Sequence, residues 1–362
     1  MGNYSIILLF FIVLTFGFAD AQQSEKLDAG FQYLVGKSTG RTSGLTSNNA
    51  STAVINIKKQ LDPKNAEWIS SLNAQRVGIA LFYTDMEGIS RNDHYGNSYG
   101  AIAEIDFGLL KREKFELLFT PGIGLAFMDR TTFTHPHTYI FGSHLNGVFK
   151  AGLSAEYAID QNWKFSINSQ FVHFSNGSYQ LPNAGVNILS AGLGISRSFE
   201  LSPQNKIPQQ PEILKKNRFE FSAGIGKRGK YQRKNSDDLR FAFYGGYRYQ
   251  LNNILALKIG ADAVYFTQLY DPDEYVNTIR YLGASNEHWR IGARIGAEAK
   301  LGSFAVGAGA GRYVFFESPF NQKTYWNIGL RYYFTPQIGV ETSLHANKFQ
   351  GDFASAGIFI LL

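Results

Sequence analysis

The chain is built from repeated runs in which apolar residues alternate with small or polar ones. Each run is about 10 to 14 residues long and is rich in Phe, Tyr, Ile, Val and Gly. A period of two is typical of β-strands, because successive side chains point to opposite faces of a sheet. The pattern therefore predicts an all-β fold with eight strands in each half of the chain. The predicted strands are 28–37, 51–60, 74–85, 99–110, 114–128, 145–158, 163–174 and 186–199, then 218–226, 239–250, 254–266, 289–300, 303–315, 324–334, 338–348 and 353–362.

The connections between these strands alternate between short and long. Outer-membrane β-barrels have short periplasmic turns and long outer loops, whereas loop length in a soluble β-sandwich has no relation to strand parity. The pattern favours a transmembrane antiparallel β-barrel over a secreted, carbohydrate-binding sandwich. Two connections depart from it, a long inner one at 61–73 and a short outer one at 349–352. The predicted short turns are 111–113, 159–162, 251–253, 301–302 and 335–337, and the predicted long loops are 38–50, 86–98, 129–144, 175–185, 227–238, 267–288 and 316–323.

The N-terminal residues have the features of an export signal. Residues 4–19 form an uncharged apolar run, and Ala19-Asp20-Ala21 has the small-x-small spacing that signal peptidase recognises. The run is short for a membrane span, and no later stretch of 18 apolar residues occurs. We therefore expect export to the outer membrane of a bacterial cell and cleavage after Ala21.

The two halves of the chain resemble each other and are separated by a proline-containing segment. Each half opens with a strand ending in Gly-Lys and closes with a strand that carries a His, which indicates a degenerate duplication. The pattern is compatible with two eight-stranded barrels or with one merged barrel of about sixteen strands. The predicted organisation is a signal peptide at 1–21, a first barrel half with the candidate site at 22–200, a periplasmic linker at 201–217 and a second, degenerate half at 218–362.

The composition removes several classes of protein. The chain has no cysteine, so disulfide-stapled domains and thiolate metal sites are excluded. It contains 37 glycines among 362 residues and is 44% hydrophobic, which is unlike a disordered chain. The net charge is +6, but Lys and Arg are scattered along the sequence, so we expect no nucleic-acid partner. The sequence does not predict an oligomeric state.

The segment 171–187, FVHFSNGSYQLPNAGVN, carries the candidate chemistry. A period of two places His173, Ser175 and, on the returning strand, Asn187 on apolar faces of the same side. In a membrane barrel that side meets lipid, and strand parity puts this hairpin at the outer leaflet. Polar groups facing hydrocarbon are costly and usually functional. The apolar faces comprise Trp163, Phe165, Ile167, Ser169, Phe171, His173 and Ser175 on one strand and Asn187, Leu189, Ala191, Leu193 and Ile195 on the other.

A serine becomes nucleophilic when an imidazole accepts its proton and a third group orients the ring. His173 and Ser175 are two residues apart on one strand face, about 6 to 7 Å at the backbone, a gap that side chains can span. Asn176 and Asn183 flank the pair and are candidates to donate amide N–H groups to an oxyanion. The predicted substrate is an ester whose acyl chain lies in the outer leaflet. The alternative interpretation is that these are rim residues with ordinary turn chemistry.

The same segment resembles the motif of the PagL-type lipid A 3-O-deacylase family, including longer relatives called acyloxyacyl hydrolases. The matching residues are His173-x-Ser175-Asn176, Pro182-Asn183-x-Gly185 and Asn187. The resemblance implies an eight-stranded outer-membrane barrel that removes the 3-O-linked hydroxyacyl chain from lipid A of lipopolysaccharide, with no cofactor.

The resemblance also implies roles for individual residues. His173 matches the catalytic base and Ser175 the nucleophile, while Asn176 and Asn183 match oxyanion donors. Asn187 stands where the family prototype has a catalytic Glu; an Asn can orient a His but does not stabilise the imidazolium by charge. The alternative function is a non-enzymatic outer-membrane barrel, porin-like or structural, that has lost catalysis.

Three further features of the sequence lead to expectations of their own. The basic run 227–234 is predicted to be an outer loop in which Lys227, Arg228 and Lys230 bind lipid A phosphates. His135 and His137 lie near each other without a third metal ligand, so no metal site is predicted. In the second half His345 is expected to point inward and Asn347 replaces the serine, which indicates an inactive copy.

Overall fold

The computed structural model describes residues 26–40, 48–86, 95–136, 140–201, 216–230, 233–270 and 281–362. The predicted signal peptide and residues 202–215 of the predicted linker lie outside these ranges. The chain divides into two compact units, and each unit contains one antiparallel β-barrel.

The first barrel closes with eight strands in chain order. Each strand pairs with its neighbours in sequence, and the first also pairs with the eighth, from Lys26↔Glu200 to Gly40↔Val186. The strands are β1 (Lys26–Gly40), β2 (Asn48–Gln60), β3 (Ala74–Asp85), β4 (Asn97–Lys111), β5 (Phe115–Met128), β6 (Leu145–Ala158), β7 (Trp163–Ser175) and β8 (Val186–Glu200).

The second barrel repeats this arrangement, and its first strand pairs with its last, as in Gly224↔Gly357. The all-β prediction of an antiparallel barrel with eight strands per half is confirmed, and two closed barrels are found rather than one merged barrel. The strands are β9 (Asn217–Lys230), β10 (Arg233–Gln250), β11 (Leu255–Phe266), β12 (Trp289–Leu301), β13 (Phe304–Phe315), β14 (Thr324–Tyr333), β15 (Ile338–Asn347) and β16 (Gln350–Leu361).

The outer faces of both barrels are apolar. Along β7, for example, Phe165, Ile167 and Phe171 are exposed, whereas Ser166, Asn168 and Gln170, which point the other way, are buried. Exposed aromatic and aliphatic side chains on an outward face are typical of strands that meet lipid. Among the residues that the structure describes, no helix has the length and apolar composition needed to cross a membrane.

The interior of the first barrel contains a network of ion pairs near the inner end, the end that carries the shorter connections. Arg76 lies at its centre, with carboxylate oxygens of Asp28, Asp106 and Glu156 at 3.1, 2.7 and 2.6 Å from its nitrogens. A buried guanidinium is tolerated when carboxylates compensate its charge. The other members are Lys58, Glu104, Lys150 and Lys164, so the described network has four acids and four bases.

The outer half of this interior is apolar instead. Its buried cluster includes Leu34, Phe82, Met128, Phe141 and Phe174, all at most 7% exposed. Because these side chains fill the narrow lumen of an eight-stranded barrel, they hold the outer ends of the strands rigidly.

The structure explains the long inner connection at 61–73, for which no helix was predicted. A short helix, α1 (Glu67–Ser71), buries Ile69 against Leu61, Ala74 and Val77. The segment is thus long because it packs on the inner end of the first barrel.

The short inner turns are stabilised locally. In the turn between β6 and β7, the Asp160 carboxylate accepts the backbone N–H groups of Trp163 and Asn162, both at 2.8 Å. These hydrogen bonds lower the pKa of Asp160, because they favour the ionised carboxylate.

The expected outer loop at 227–238 differs from the structure. β9 continues to Lys230 and β10 begins at Arg233, with a register irregularity between Arg233 and Asp238. Arg228 lies opposite Asp238 in the ladder, so oppositely charged residues pair where the sequence indicated a solvated loop.

Candidate functional site

The candidate site lies at the outer end of the hairpin formed by β7 and β8. His173 and Asn187 are direct cross-strand partners in the β7–β8 ladder. Both side chains are half-buried on the outward face, where the period of two places them. The separation of 14 residues in sequence is therefore the length of this hairpin, and it brings the two side chains together.

A hydrogen bond joins the two side chains. Nδ1 of His173 lies 2.7 Å from Oδ1 of Asn187. An amide oxygen only accepts hydrogen bonds, so Nδ1 is the donor and Nε2 carries the lone pair of the neutral ring. Asn187 thus selects the tautomer in which Nε2 can act as a base.

Ser175 is the last residue of β7 and lies on the same face as His173, two residues further towards the outer rim. Its ladder partner on β6 is Gly147. A Cβ at Gly147 would meet no atom closer than the Ser175 carbonyl oxygen, at 3.3 Å. The glycine therefore leaves space on the lipid-facing side beside the serine.

Asn183 links the two ends of the outer connection between β7 and β8 through hydrogen bonds of its side chain. Its Nδ2 donates to Oγ of Ser175 at 2.9 Å, and its Oδ1 accepts the backbone N–H of Asn176 at 3.1 Å. A β-bridge with Phe141 and the hydrogen bond from Ala184 N to Ile140 O hold this segment in place. The predicted oxyanion residue Asn183 is therefore in direct contact with the predicted nucleophile.

Asn176 is placed differently. It is 9% exposed, and its side-chain Nδ2 donates to Oγ of Ser143 at 2.8 Å. Ser143 in turn donates to the Leu145 carbonyl oxygen at 2.9 Å. Ser143 could not be predicted as part of the site, because it lies in the preceding outer connection and its contact with Asn176 depends on the tertiary fold.

Gly185 provides the space for the histidine ring. Its φ is +71°, and a Cβ at this position would lie 3.0 Å from Cε1 of His173 and 3.2 Å from the Phe174 carbonyl oxygen. Only glycine adopts this conformation readily and avoids the imidazole. Gly185 belongs to the motif noted in the sequence, but its contact with the ring requires the hairpin geometry.

If the ester hydrolysis predicted from the sequence occurs at this site, replacing Gly185 by alanine is expected to lower its kcat/KM by about 10- to 100-fold, because a displaced imidazole loses its alignment with the serine. The activity of the purified variant in detergent checks this. Gly307→Ala is the control, since its Cβ would meet no atom closer than 3.7 Å. Full activity of Gly185→Ala would show that the ring position is unimportant.

The predicted phosphate-binding residues have different surroundings. Arg228 is buried within the second unit, where its Nη1 donates to the Asp352 carbonyl oxygen at 2.6 Å and its guanidinium lies 3.5 Å from the Tyr281 ring centre. Lys227 is half-buried on the opposite face of β9. The Lys230 side chain lies outside the described part of the chain.

Two of the three remaining histidines named in the sequence analysis, His135 and His345, lie in the described part of the chain. His345 is 9% exposed inside the second barrel and stacks on Phe353 at 4.4 Å, with Asn347 also buried. The inward direction of His345 is as expected. His135 contacts Thr134 Oγ1 at 3.1 Å, and His137 lies outside the described residues. No group of three or more potential metal ligands occurs among the residues described.

Family models match both halves of the chain. Residues 56–196 match the family model of lipid A 3-O-deacylase (PagL), and residues 217–359 match that of the acyloxyacyl hydrolase C-terminal domain. None of the curated proteins matches the sequence.

Solved outer-membrane structures are also similar to parts of the chain. The outer-membrane enzyme PagL is 18% identical, covering 46% of this chain and 97% of its own, with a TM-score of 0.33. Neisserial surface protein A is 11% identical and covers 49% and 98%, with a TM-score of 0.30. The outer-membrane protein AlkL is 14% identical and covers 51% and 97%, with a TM-score of 0.29.

Proposed function

The chain belongs to the PagL family of lipid A 3-O-deacylases and is a bacterial outer-membrane protein, and from this premise we propose that its first barrel is a serine esterase. It removes an ester-linked 3-O-hydroxyacyl chain from lipid A of lipopolysaccharide. The observation that carries this proposal is the hydrogen-bonded pair of His173 and Asn187 beside Ser175, on the lipid-facing side at the outer rim.

The reaction begins with the serine. As Oγ of Ser175 attacks the ester carbonyl carbon, Nε2 of His173 accepts its proton. The tetrahedral intermediate then collapses, the bond from carbon to the sugar oxygen breaks, and His173 returns the proton to that oxygen. Water attacks the acyl-serine in the same way and releases the free hydroxy acid. Asn187 holds the ring in the required tautomer throughout.

The oxyanion is stabilised by the neighbouring amides. Nδ2 of Asn183 already donates to Ser175 Oγ and is therefore close to the carbon that this oxygen attacks. Nδ2 of Asn176 donates to Oγ of Ser143, which fixes the orientation of this second amide. Donors arranged before the reaction stabilise the developing charge at little reorganisation cost.

The location of the site selects the substrate. The acyl chain of lipid A lies in the outer leaflet, at the depth of the exposed side chains of β7, and the ester lies at the rim. We retain Lys227 as a candidate ligand for a lipid A phosphate. Arg228 is less suited to that role, because its guanidinium is already bound inside the second unit.

The test of this function is the release of free hydroxy acid from lipid A by the purified full chain in detergent. We expect release of the ester-linked 3-O chain and retention of the amide-linked chains, because the amide is a poorer acyl donor for this site. Gas chromatography with mass spectrometry distinguishes the two. An absence of any released acid, with both barrels folded, would favour the non-enzymatic alternative.

Asn187 provides a prediction specific to this chain. Asn187→Glu is expected to give equal or up to about tenfold higher kcat, because a carboxylate would both orient His173 and stabilise its imidazolium. Asn187→Ala is expected to lower kcat by about tenfold or more, since the ring loses its partner. Steady-state kinetics on the same lipid A substrate measures both. Complete inactivity of Asn187→Glu would assign Asn187 a different role.

A further inference from the structure

The outer connection between β7 and β8 is divided between the two compact units. Asn176 and Asn183 belong to the first unit, whereas residues 177–182 (the tip) belong to the second. Asn176 directly precedes the tip and Asn183 directly follows it. The two proposed oxyanion donors are therefore the residues at which the chain enters and leaves a segment packed into the second unit.

Two hydrogen bonds fix Ser178 in the tip. Its Oγ donates to the Gly351 carbonyl oxygen on β16, and its own carbonyl oxygen accepts the backbone N–H of Gly229 on β9, both at 2.8 Å. The buried Arg228 donates to the same Gly351 oxygen at 3.2 Å, which holds this acceptor in place. Ser178 is 4% exposed, and its φ of +66° is a strained conformation for serine that persists only where the surroundings hold it.

The backbone of the tip packs directly on Gly229. A Cβ at this position would lie 2.5 Å from Cα of Gln180 and 2.6 Å from the backbone nitrogen of Leu181. These distances are too short for non-bonded atoms, so any side chain at Gly229 displaces the tip. Nζ of Lys227, two residues earlier on β9, lies 5.3 Å from the ring centre of Tyr179 and adds a cation–π contact.

The ends of the tip are joined to the reacting serine. Oδ1 of Asn183 accepts the backbone N–H of Asn176 at 3.1 Å, and Nδ2 of Asn183 donates to Oγ of Ser175 at 2.9 Å. A movement of the tip is transmitted along the chain to both asparagines. A displacement of about 1 Å in a preorganised site is enough to cost about 100-fold in rate.

We propose that Ser178 and Gly229 are positioning residues of the esterase. Through the tip, β9 and β16 hold the amides of Asn176 and Asn183 where they bind the oxyanion. The second barrel thus takes part in the reaction through its packing and not through a second set of reacting groups. This inference rests on the proposed function of the first barrel.

The first test is the replacement of Gly229 by alanine in the full chain. We expect kcat for the release of hydroxy acid from lipid A to fall by at least about tenfold and KM to change by less than about threefold, because the oxyanion donors move while the lipid-facing strands do not. Gly245→Ala on β10 is the matched control, since its Cβ would meet no atom closer than 3.5 Å. It should keep the kcat of the unmodified protein, and both variants should keep the heat-dependent gel migration of folded barrels.

A double-mutant cycle separates positioning from general destabilisation. If Gly229 acts through the oxyanion donors, Gly229→Ala combined with Asn183→Ala should be at most about threefold slower than Asn183→Ala alone, because the donor that it positions is already absent. Multiplication of the two separate effects would overturn the proposal, and so would a Gly229→Ala variant as fast as the unmodified protein.

A third measurement needs no enzymatic activity. The chain has no cysteine, so Ser178→Cys with Gly351→Cys introduces a single pair. A Cβ at Gly351 would lie 3.5 Å from Oγ of Ser178, a spacing compatible with a disulfide. We expect an oxidant to form this bond, seen by mass spectrometry of the linked peptides, and the oxidised protein to keep the kcat of its reduced form. Failure to form the bond would overturn the anchoring of the tip; a bond formed in a chain that releases no hydroxy acid would overturn the esterase itself.

Discussion

Replacing Ser175 by alanine is expected to lower the rate of lipid A deacylation by on the order of 10³-fold or more. The variant lacks the oxygen that attacks the ester, whereas the amides of Asn176 and Asn183 can contribute only weak residual catalysis. The rate is measured as hydroxy acid released by purified protein in detergent.

Ser169→Ala is the matched control for this variant. Ser169 lies on β7, on the same outward face, six residues further from the outer rim. Its loss should leave the rate unchanged, and both variants should keep the heat-dependent gel migration of a folded barrel. A fluorophosphonate probe should label Ser175 in the unmodified protein. Substantial activity of Ser175→Ala would remove this residue from the mechanism.

Replacing His173 by glutamine is expected to lower kcat by about 10² to 10⁴-fold with little change in KM. Glutamine preserves a polar side chain opposite Asn187 but cannot accept the serine proton, so the loss appears in the chemical step rather than in substrate binding. Steady-state kinetics on lipid A separates the two constants.

The second barrel supplies the control for the histidine. His345 occupies a comparable place near the end of β15, but it is buried and stacked on Phe353. His345→Gln should therefore leave deacylation unchanged. A similar loss of kcat in both variants would mean that the effect of His173→Gln is structural, and a rise in KM alone would make His173 a binding residue.

Most strands could be predicted from the sequence, because the outward faces meet lipid and the inward faces fill a narrow lumen. That difference imposes a period of two, which is visible without any tertiary information. The closure of each half on itself could not be predicted from the sequence pattern, since it depends on the pairing of β1 with β8 and of β9 with β16. Nothing local to one strand specifies a partner so distant in sequence.

The errors at the strand ends also have physical causes. The charged residues near Arg228 and Asp238 indicated a loop, yet they pair across the ladder and extend β9 and β10. The short helix α1 could not be predicted from the sequence, because it is stabilised by contacts with Leu61 and Val77 at the end of the barrel that it covers.

Only the part of the candidate site that lies on the β7–β8 hairpin could be predicted from the sequence. The side on which His173, Ser175 and Asn187 lie follows from strand periodicity. The bond from Asn176 to Ser143 joins separate outer connections and could not be inferred. Likewise, the contact of Gly185 with the His173 ring depends on how the chain enters β8.

The most direct test of this account is mass spectrometry of lipid A from three sets of cells, producing the unmodified protein, Ser175→Ala or neither. We predict the loss of one hydroxyacyl chain from lipid A only in cells with the unmodified protein. Lipid A that is identical in all three, with both forms inserted in the outer membrane, would contradict the proposed esterase; the same loss in cells with Ser175→Ala would contradict its nucleophile.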